Sequence, residues 1–457
     1  MRLTTTDPLF PWDKLPLSVD LIALRLLLDL LPDEHLLAAL RSHRGHGRND
    51  YPVHVLWRMQ LARYFLRHAS MEAALAEAGR NPALRRIIGL EEGRPVPDDY
   101  NMSRFLDVLG QPAHAELMEQ MMQAMVRALA EAVADLGRDV AGDSAALSAR
   151  PGRAASAGQS DLPQPGQGRK EYQDEAGKVV RSFEWFGYKF HLLVDVKHEV
   201  VLASQITSAA GEGTGDSSVL PLLLKKAKAT LPPGRMRTLA FDKAADDNGT
   251  HEMLQEEGIR PLIEVRQLWK EEPERKLPGH DGDSNVVHDQ TGTIYCYDTV
   301  SEPPVKRKMS FAGLEQERGT LKYRCPARAG GFACASDSKC NGCGTYGRTV
   351  RVKCQADPRR FPSIPRGSKA FERKYDGRTA VERVNSRLKV YWGADDGNVT
   401  GAQRFHAHLM TVLLVHAATA TWLAGQPRYE GKSLSPTRMS QVALQLAKSA
   451  RRARAAG

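Results

Sequence analysis

Apolar residues recur at helical spacing through most of the first 140 positions. Residues 20–42 carry a strong apolar pattern, and VHVLWRMQLARYFLR at 53–67 carries another. Ser70 is placed to cap a helix running to Gly79. Asn81 and Pro82 make a cap and first-turn pair for NPALRRIIGL, which ends near Gly89. A short helix in MSRFLDVLG stops at Gly110, and residues 112–136 read as one longer helix whose Met stripe suits core packing. Short helices joined by tight turns, bearing Arg85, Arg86 and Arg104, fit either a helix-turn-helix reader of DNA or a small bundle with ordinary surface arginines.

At Val140 the period shortens. RDVAGDSAAL predicts a short buried strand ending on Asp143, and FEWFGYKFHLLVDV and EVVLASQIT predict two more, joined by a tight hairpin at Lys197 and His198. A helix over Ser217 to Ala229 follows, then a strand RTLAFD ending on Asp242, a helix near His251 to Glu257 and a strand IRPLIEV. Three strands followed by alternating helix and strand is the order of an RNase H-like core with a mixed sheet. The fold class is therefore α/β, with an all-α region in front. In that arrangement the strands carrying Asp143 and Asp242 are neighbours, so the two carboxylates emerge side by side. Asp246 and Asp247 are alternatives to Asp242, in a predicted loop.

Near the C-terminus, Tyr375, Arg378, Glu382 and Lys389 in RKYDGRTAVERVNSRLKVYW project within an arc of roughly 60° on a helix, while Ala380, Val384, Leu388 and Tyr391 fall on the opposite side. A charged stripe opposite an apolar one is usually just a solvated face. A lone carboxylate between two cations and a phenol also suits a site for metal and phosphate. Glu382 would complete a cluster with Asp143 and Asp242, and three acids suit Mg²⁺, which takes hard oxygen ligands.

Charge and composition narrow the partners. In 457 residues, 64 lysines and arginines against 54 acids leave a formal charge of +10, which favours a polyanion. The N-terminal MRLTTTDPLFPWDKLP has no apolar run of the secretory kind. The best apolar stretch, Leu409 to Ala424, holds His416 and three threonines and reads as a buried helix rather than a membrane span. Six cysteines, four of them between Cys325 and Cys343, do not form a secreted disulfide framework and fit a reducing cytoplasm.

Tyr375, Arg378, Glu382 and Lys389 match the Tyr-x2-Arg-x3-Glu-x6-Lys signature, and with it the chain resembles insertion-sequence transposases of the DDE superfamily. The resemblance extends to NPALRRIIGLEEGRPVPDDYNMSRFLDVL and FGYKFHLLVD and covers most of residues 15–425. It implies that Asp143, Asp242 and Glu382 are the catalytic ligands of Mg²⁺ or Mn²⁺, and that Tyr375, Arg378 and Lys389 contact DNA phosphates. It also implies binding of terminal inverted repeats, strand cleavage and strand transfer by a homodimer on double-stranded DNA, in the bacterial cytoplasm at the nucleoid. Ala145, Ala244 and Ala245 stand where the family often carries Thr, Gly and Tyr. A catalytically inactive domesticated DNA-binding protein and a nuclease without strand transfer are the alternatives.

The chain divides into a helical, DNA-binding region at 1–136, a first core part at 137–265 with a mobile loop at 150–182, an insertion at 266–366, a last core part at 367–425 and a basic tail at 426–457. The interval between Asp242 and Glu382 is longer than one helix and strand require, hence the insertion. Within it Cys325, Cys334, Cys340 and Cys343 are spaced for a structural Zn²⁺, the alternatives being reduced buried thiols or a redox pair at Cys340 and Cys343.

Overall fold

The computed structural model describes residues 17–435 apart from 47–49, 92, 152–161, 175–177, 212, 267–268, 270–271, 281–284, 341–344 and 397–398. The basic tail from 436 on, much of the polar loop after the first strand, and Cys343 therefore lie outside the described residues.

Seven helices come first: α1 (Val19–Leu30), α2 (Glu34–Arg44), α3 (Val53–Phe65), α4 (Met71–Arg80), α5 (Pro82–Ile88), α6 (Asp99–Leu109) and α7 (Pro112–Ala132). Their ends follow the local chemistry. The Ser70 hydroxyl accepts from the Ala73 N–H at 3.0 Å, and Asn81 Oδ1 accepts from the Leu84 N–H at 3.1 Å with Pro82 in the first turn. Gly89 closes α5 at φ 83°, where a Cβ would also meet the His54 ring at 2.8 Å.

The main sheet then forms from β1 (Asp139–Ser148), β2 (Gly166–Gln173), β3 (Val179–Asp195) and β4 (Val201–Ser208). After α8 (Asp216–Thr230) come β5 (Thr238–Phe241), α9 (Asn248–Glu256) and β6 (Arg260–Ile263). The long β3 lies at its centre. Its second half pairs antiparallel with β1 on one edge and β4 on the other, while its first half carries β2. Beyond β1, β5 and then β6 add in parallel. Strand β1 thus has β3 antiparallel on one side and β5 parallel on the other, giving a mixed sheet.

Two departures from the sequence pattern matter. Strand β1 does not stop at Asp143; Asp143 pairs with Leu192 and the ladder runs on to Ser148 opposite Gly187. The hydrogen-bond partners offered by β3 extend the strand past its last strongly apolar position. Within the stretch 150–182, expected to be mobile, β2 pairs with β3 from Gly166 opposite Gly187 to Gln173 opposite Val179.

Between β6 and the last helices, the chain builds two small sheets. One contains β7 (Glu274–Lys276), β8 (Val286–Asp289), β9 (Ile294–Asp298) and β10 (Val305–Lys308). The other contains β11 (Ser310–Glu315), β12 (Thr320–Arg324) and β13 (Thr349–Lys353), with α10 (Pro326–Gly330) after β12. They have a core of their own, nine buried side chains among the described residues, from Leu277 to Phe361.

The chain then returns to the main sheet through α11 (Lys369–Tyr375), a 3₁₀ turn at Asp376–Arg378, α12 (Thr379–Ser386) and a π turn at Arg387–Tyr391, and goes on to α13 (Ala402–Ala424). Helix α12 packs on β1 and β3 through Ala380, Val381 and Val384, all fully buried. Each such valine stabilises the packing by about 2 kcal/mol. Helix α13 is long and apolar enough to cross a membrane, yet 83% of its most apolar window is buried inside the protein. It packs on α1, α3, α6, α7 and β4, so one continuous core runs from Leu21 to Leu434.

Candidate metal centre

Parallel pairing of β1 with β5 sets Ala141 opposite Ala240, which carries Asp143 and Asp242 forward together, two residues further along each strand. Gly142 makes the close approach possible: a Cβ there would sit 2.1 Å from the Phe241 ring. Asp242 begins the turn after β5, accepting from the Ala244 N–H at 2.8 Å.

A third acid joins them that the sequence pattern did not single out. Among the described residues, Asp143, Asp216 and Asp242 form the group of potential ligands whose oxygens all lie within 4.8 Å of one another. Asp216 is the first residue of α8, and such an acid reads in sequence as an ordinary partner for a helix N-terminus. Its alignment comes from the sheet beneath. His191 on β3 is buried; its Nδ1 lies 2.9 Å from Asp216 Oδ1, and its Nε2 lies 3.0 Å from Thr207 Oγ1. A carboxylate accepts only, so Nδ1 carries the proton.

The electrostatics separate these acids. Burial, followed by the charges of Asp216 and Asp242, pushes Asp143 up to about 6, against relief from the Ser144 amide and Arg378. Burial also opposes ionisation of Asp216, but hydrogen bonds from His191 and Ser144 hold it below the usual carboxylate range. A close group of carboxylates in which one is reluctant to ionise is an arrangement that a divalent cation stabilises.

The helical run over 369–391 lies along β1, and its polar side chains meet the strand in order. Lys374 Nζ reaches Asp139 Oδ1 at 2.8 Å, and Lys389 Nζ reaches the Ala146 carbonyl at 2.6 Å and Asp395 at 2.9 Å. Between them, Arg378 pairs with Glu382 at 2.8 Å while also feeling the charge of Asp143. Tyr375 stacks on Phe371 with ring centroids 5.4 Å apart. Burial, then the nearby Glu264 and Asp242, raises its hydroxyl to about 12.

Of the expected stripe, Arg378 feels the charge of Asp143 and Tyr375 that of Asp242, while Lys389 is engaged by Ala146 and Asp395. Glu382 is half exposed and paired with Arg378, outside the close group that Asp143 and Asp242 form with Asp216. Asp246 and Asp247, the alternatives to Asp242, are engaged elsewhere. The Asp246 side chain is fully buried and bound by Arg359 at 2.7 Å, His251 at 3.1 Å and Arg366 at 3.3 Å, while Asp247 caps α9 by accepting from the Thr250 N–H at 2.8 Å. Of the helical-region arginines, Arg85 is tied to the Glu91 carbonyl at 3.3 Å, and Arg104 is exposed beside the exposed ring of Tyr100.

With this geometry in place, comparison with known families is informative. Residues 157–417, more than half of the chain, match the family described as Transposase DDE domain, and residues 13–107 match Transposase domain (DUF772). Asp216, Asp242 and Glu382 fall inside the first match, and Asp143 lies in the interval between the two. No curated protein matches the chain.

Proposed function

The chain belongs to the transposase DDE-domain family, and from that premise we propose that it binds the terminal inverted repeats of its element, cleaves DNA beside them and joins the freed 3′ ends to a target. The observation that carries this reading is the three-carboxylate group within 4.8 Å, Asp143 on β1, Asp242 just after β5 and Asp216 at the head of α8.

The sheet is read as an RNase H-like core, its order β4, β3, β1, β5, β6 having three antiparallel strands and then two parallel additions. Asp143, Asp242 and Glu382 are the proposed ligands of Mg²⁺ or Mn²⁺. A divalent ion bound there supplies activation of the attacking oxygen and charge stabilisation of the leaving one during in-line displacement at phosphorus. Arg378 offsets the charges of Asp143 and Glu382 and offers a planar donor set to a phosphate. Lys389 adds a point charge farther along β1, and Tyr375 adds a hydroxyl held in its protonated form. The N-terminal helices are assigned to DNA recognition, with two protomers acting on paired ends in the bacterial cytoplasm.

A second ligand set has a specific observation in its favour: Asp216 offers an oxygen within 4.8 Å of those of Asp143 and Asp242, and Glu382 is outside that group. The test uses a supercoiled plasmid carrying the element's own flanks, with Mg²⁺ or Mn²⁺. Wild type is expected to cut at the flanks and yield joined products. Asp143→Asn and Glu382→Gln each lose cleavage by roughly a thousandfold or more, ~4 kcal/mol of barrier, with gel-shift binding retained. Full cleavage by Glu382→Gln together with its loss in Asp216→Asn would transfer the third ligand position to Asp216. Cutting without joining would make the protein a nuclease, and binding without cutting in either metal would overturn the enzymatic reading.

A further inference from the structure

The insertion brings together cysteines that lie far apart in sequence. Cys296 sits within β9 in the first small sheet, Cys325 lies between β12 of the second and α10, and Cys334 and Cys340 lie in the turns after α10. All four line one cavity of about 20 Å³, enough for a single small occupant. Cys354, the other described cysteine, is not part of the lining.

We propose that Cys296, Cys325, Cys334 and Cys340 form a structural zinc site that staples the two small sheets of the insertion together. Zinc favours four thiolates in a closed tetrahedron, and of these four one comes from the first sheet and three from the β12–β13 connection of the second. Hydrogen bonds tie the segments that carry the ligands to one another. Asp298, two residues beyond Cys296, accepts from Ser336 Oγ at 2.6 Å and from the Ala335 N–H at 3.1 Å, which pins the Cys334 turn to the end of β9. The Cys325 N–H donates to the Arg348 carbonyl at 2.8 Å, and the Cys340 N–H to the Ser336 carbonyl at 2.9 Å. Asp298 is saturated by these donors and by Ser301, so it is not itself a ligand. Arg307 and Arg348 line the same cavity and favour thiolate charge.

Burial and the three other cysteines push the Cys296 thiol up to about 11, so metal binding would release protons. No three of these sulfurs lie within 4.8 Å of one another, so a bound ion would draw them inward from these positions. The energetic need is plain in the small core: nine buried apolar side chains among the described residues serve two sheets, and small cores of this kind rely on staples.

The test is the metal content of the purified full-length protein after passage over a chelating resin. About one zinc per chain is expected in wild type, falling below about a tenth in Cys296→Ser, and staying at about one in Cys343→Ser and Cys354→Ser. Zinc that survives Cys296→Ser but is lost in Cys343→Ser overturns the proposal, as does wild type without zinc and with every thiol reactive. If Cys296→Ser does not fold, cobalt exchange into wild type decides. Intense sulfur-to-cobalt charge-transfer absorption of a four-thiolate site supports the proposal, and its absence overturns it. None of these readouts depends on DNA cleavage.

Discussion

Around Asp242, the carboxylates of Asp143 and Asp216 crowd within 4.8 Å, and among the described residues no lysine or arginine pairs with Asp143 or Asp242. Four residues on, Asp246 is buried where those three are partly exposed, and Arg359, Arg366 and His251 surround it while the Arg266 N–H donates to it at 2.8 Å. Burial pushes Asp143 up to about 6, whereas the partners of Asp246 overcome burial and hold it far below the usual carboxylate range. The contrast separates two uses of a buried acid. Where the protein supplies the counter-charges, the acid is a fastener; where it withholds them, the site awaits a cation from solution.

The largest effect that tests this contrast is on stability. Asp246→Ala leaves two nearly buried guanidinium groups without their carboxylate, and is expected to cost about 3–5 kcal/mol in urea unfolding. Asp143→Asn in metal-free buffer should cost nothing or add stability. If Asp246→Ala proves as mild as Asp143→Asn, the distinction between fastener and ligand fails.

A smaller effect concerns metal and pH. The folded protein binds a proton at Asp143 up to about pH 6 while the unfolded chain releases it near 3.8, so this group's contribution to metal-free stability falls as pH rises through that window. Asp246 has the opposite sign, its contribution being present above about pH 4 and lost on acidification. Mg²⁺ at a hundred times its dissociation constant should then stabilise the protein by about 2.7 kcal/mol at pH 7, less below pH 6, and not at all in Asp143→Asn. A thermal shift with Mg²⁺ that is unchanged in Asp143→Asn would place the ion elsewhere.

The smallest effect sharpens the boundary between the two acids. Asp247→Ala removes the cap of α9 and should cost about 1 kcal/mol without altering the Mg²⁺ shift.

Much of this arrangement is legible in sequence because local chemistry decides it. Ser70, Asn81 and Pro82 mark helix starts, and FEWFGYKFHLLVDV marks the strand that forms most of β3. The 375–389 stripe is legible as well, since Ala380, Val384 and Leu388 are all fully buried on the opposite side. What escaped depends on partners distant in the chain. Strand β2 is polar, GQGRKEYQ, and exists only because β3 offers it a ladder. Asp216 looks like any acid at the head of a helix until His191 and Ser144 are folded beside it. Cys296 is separated from the other clustered cysteines by a whole hairpin, so no spacing rule includes it. Asp246 and Asp242 are indistinguishable by spacing, since the difference between them is made by Arg359 and Arg366, more than a hundred residues away.

Helix α13 gives the fold a timetable. Helices α1, α3, α6 and α7 bury their apolar faces against a segment that emerges from the ribosome some 270 residues after α7 is complete. Strands β1 and β5 are translated long before that, yet the core supporting them stays open until residue 424 is made. A chain released early would leave that core bare and would be a target for proteolysis. Premature termination would therefore yield no half-built cutting protein.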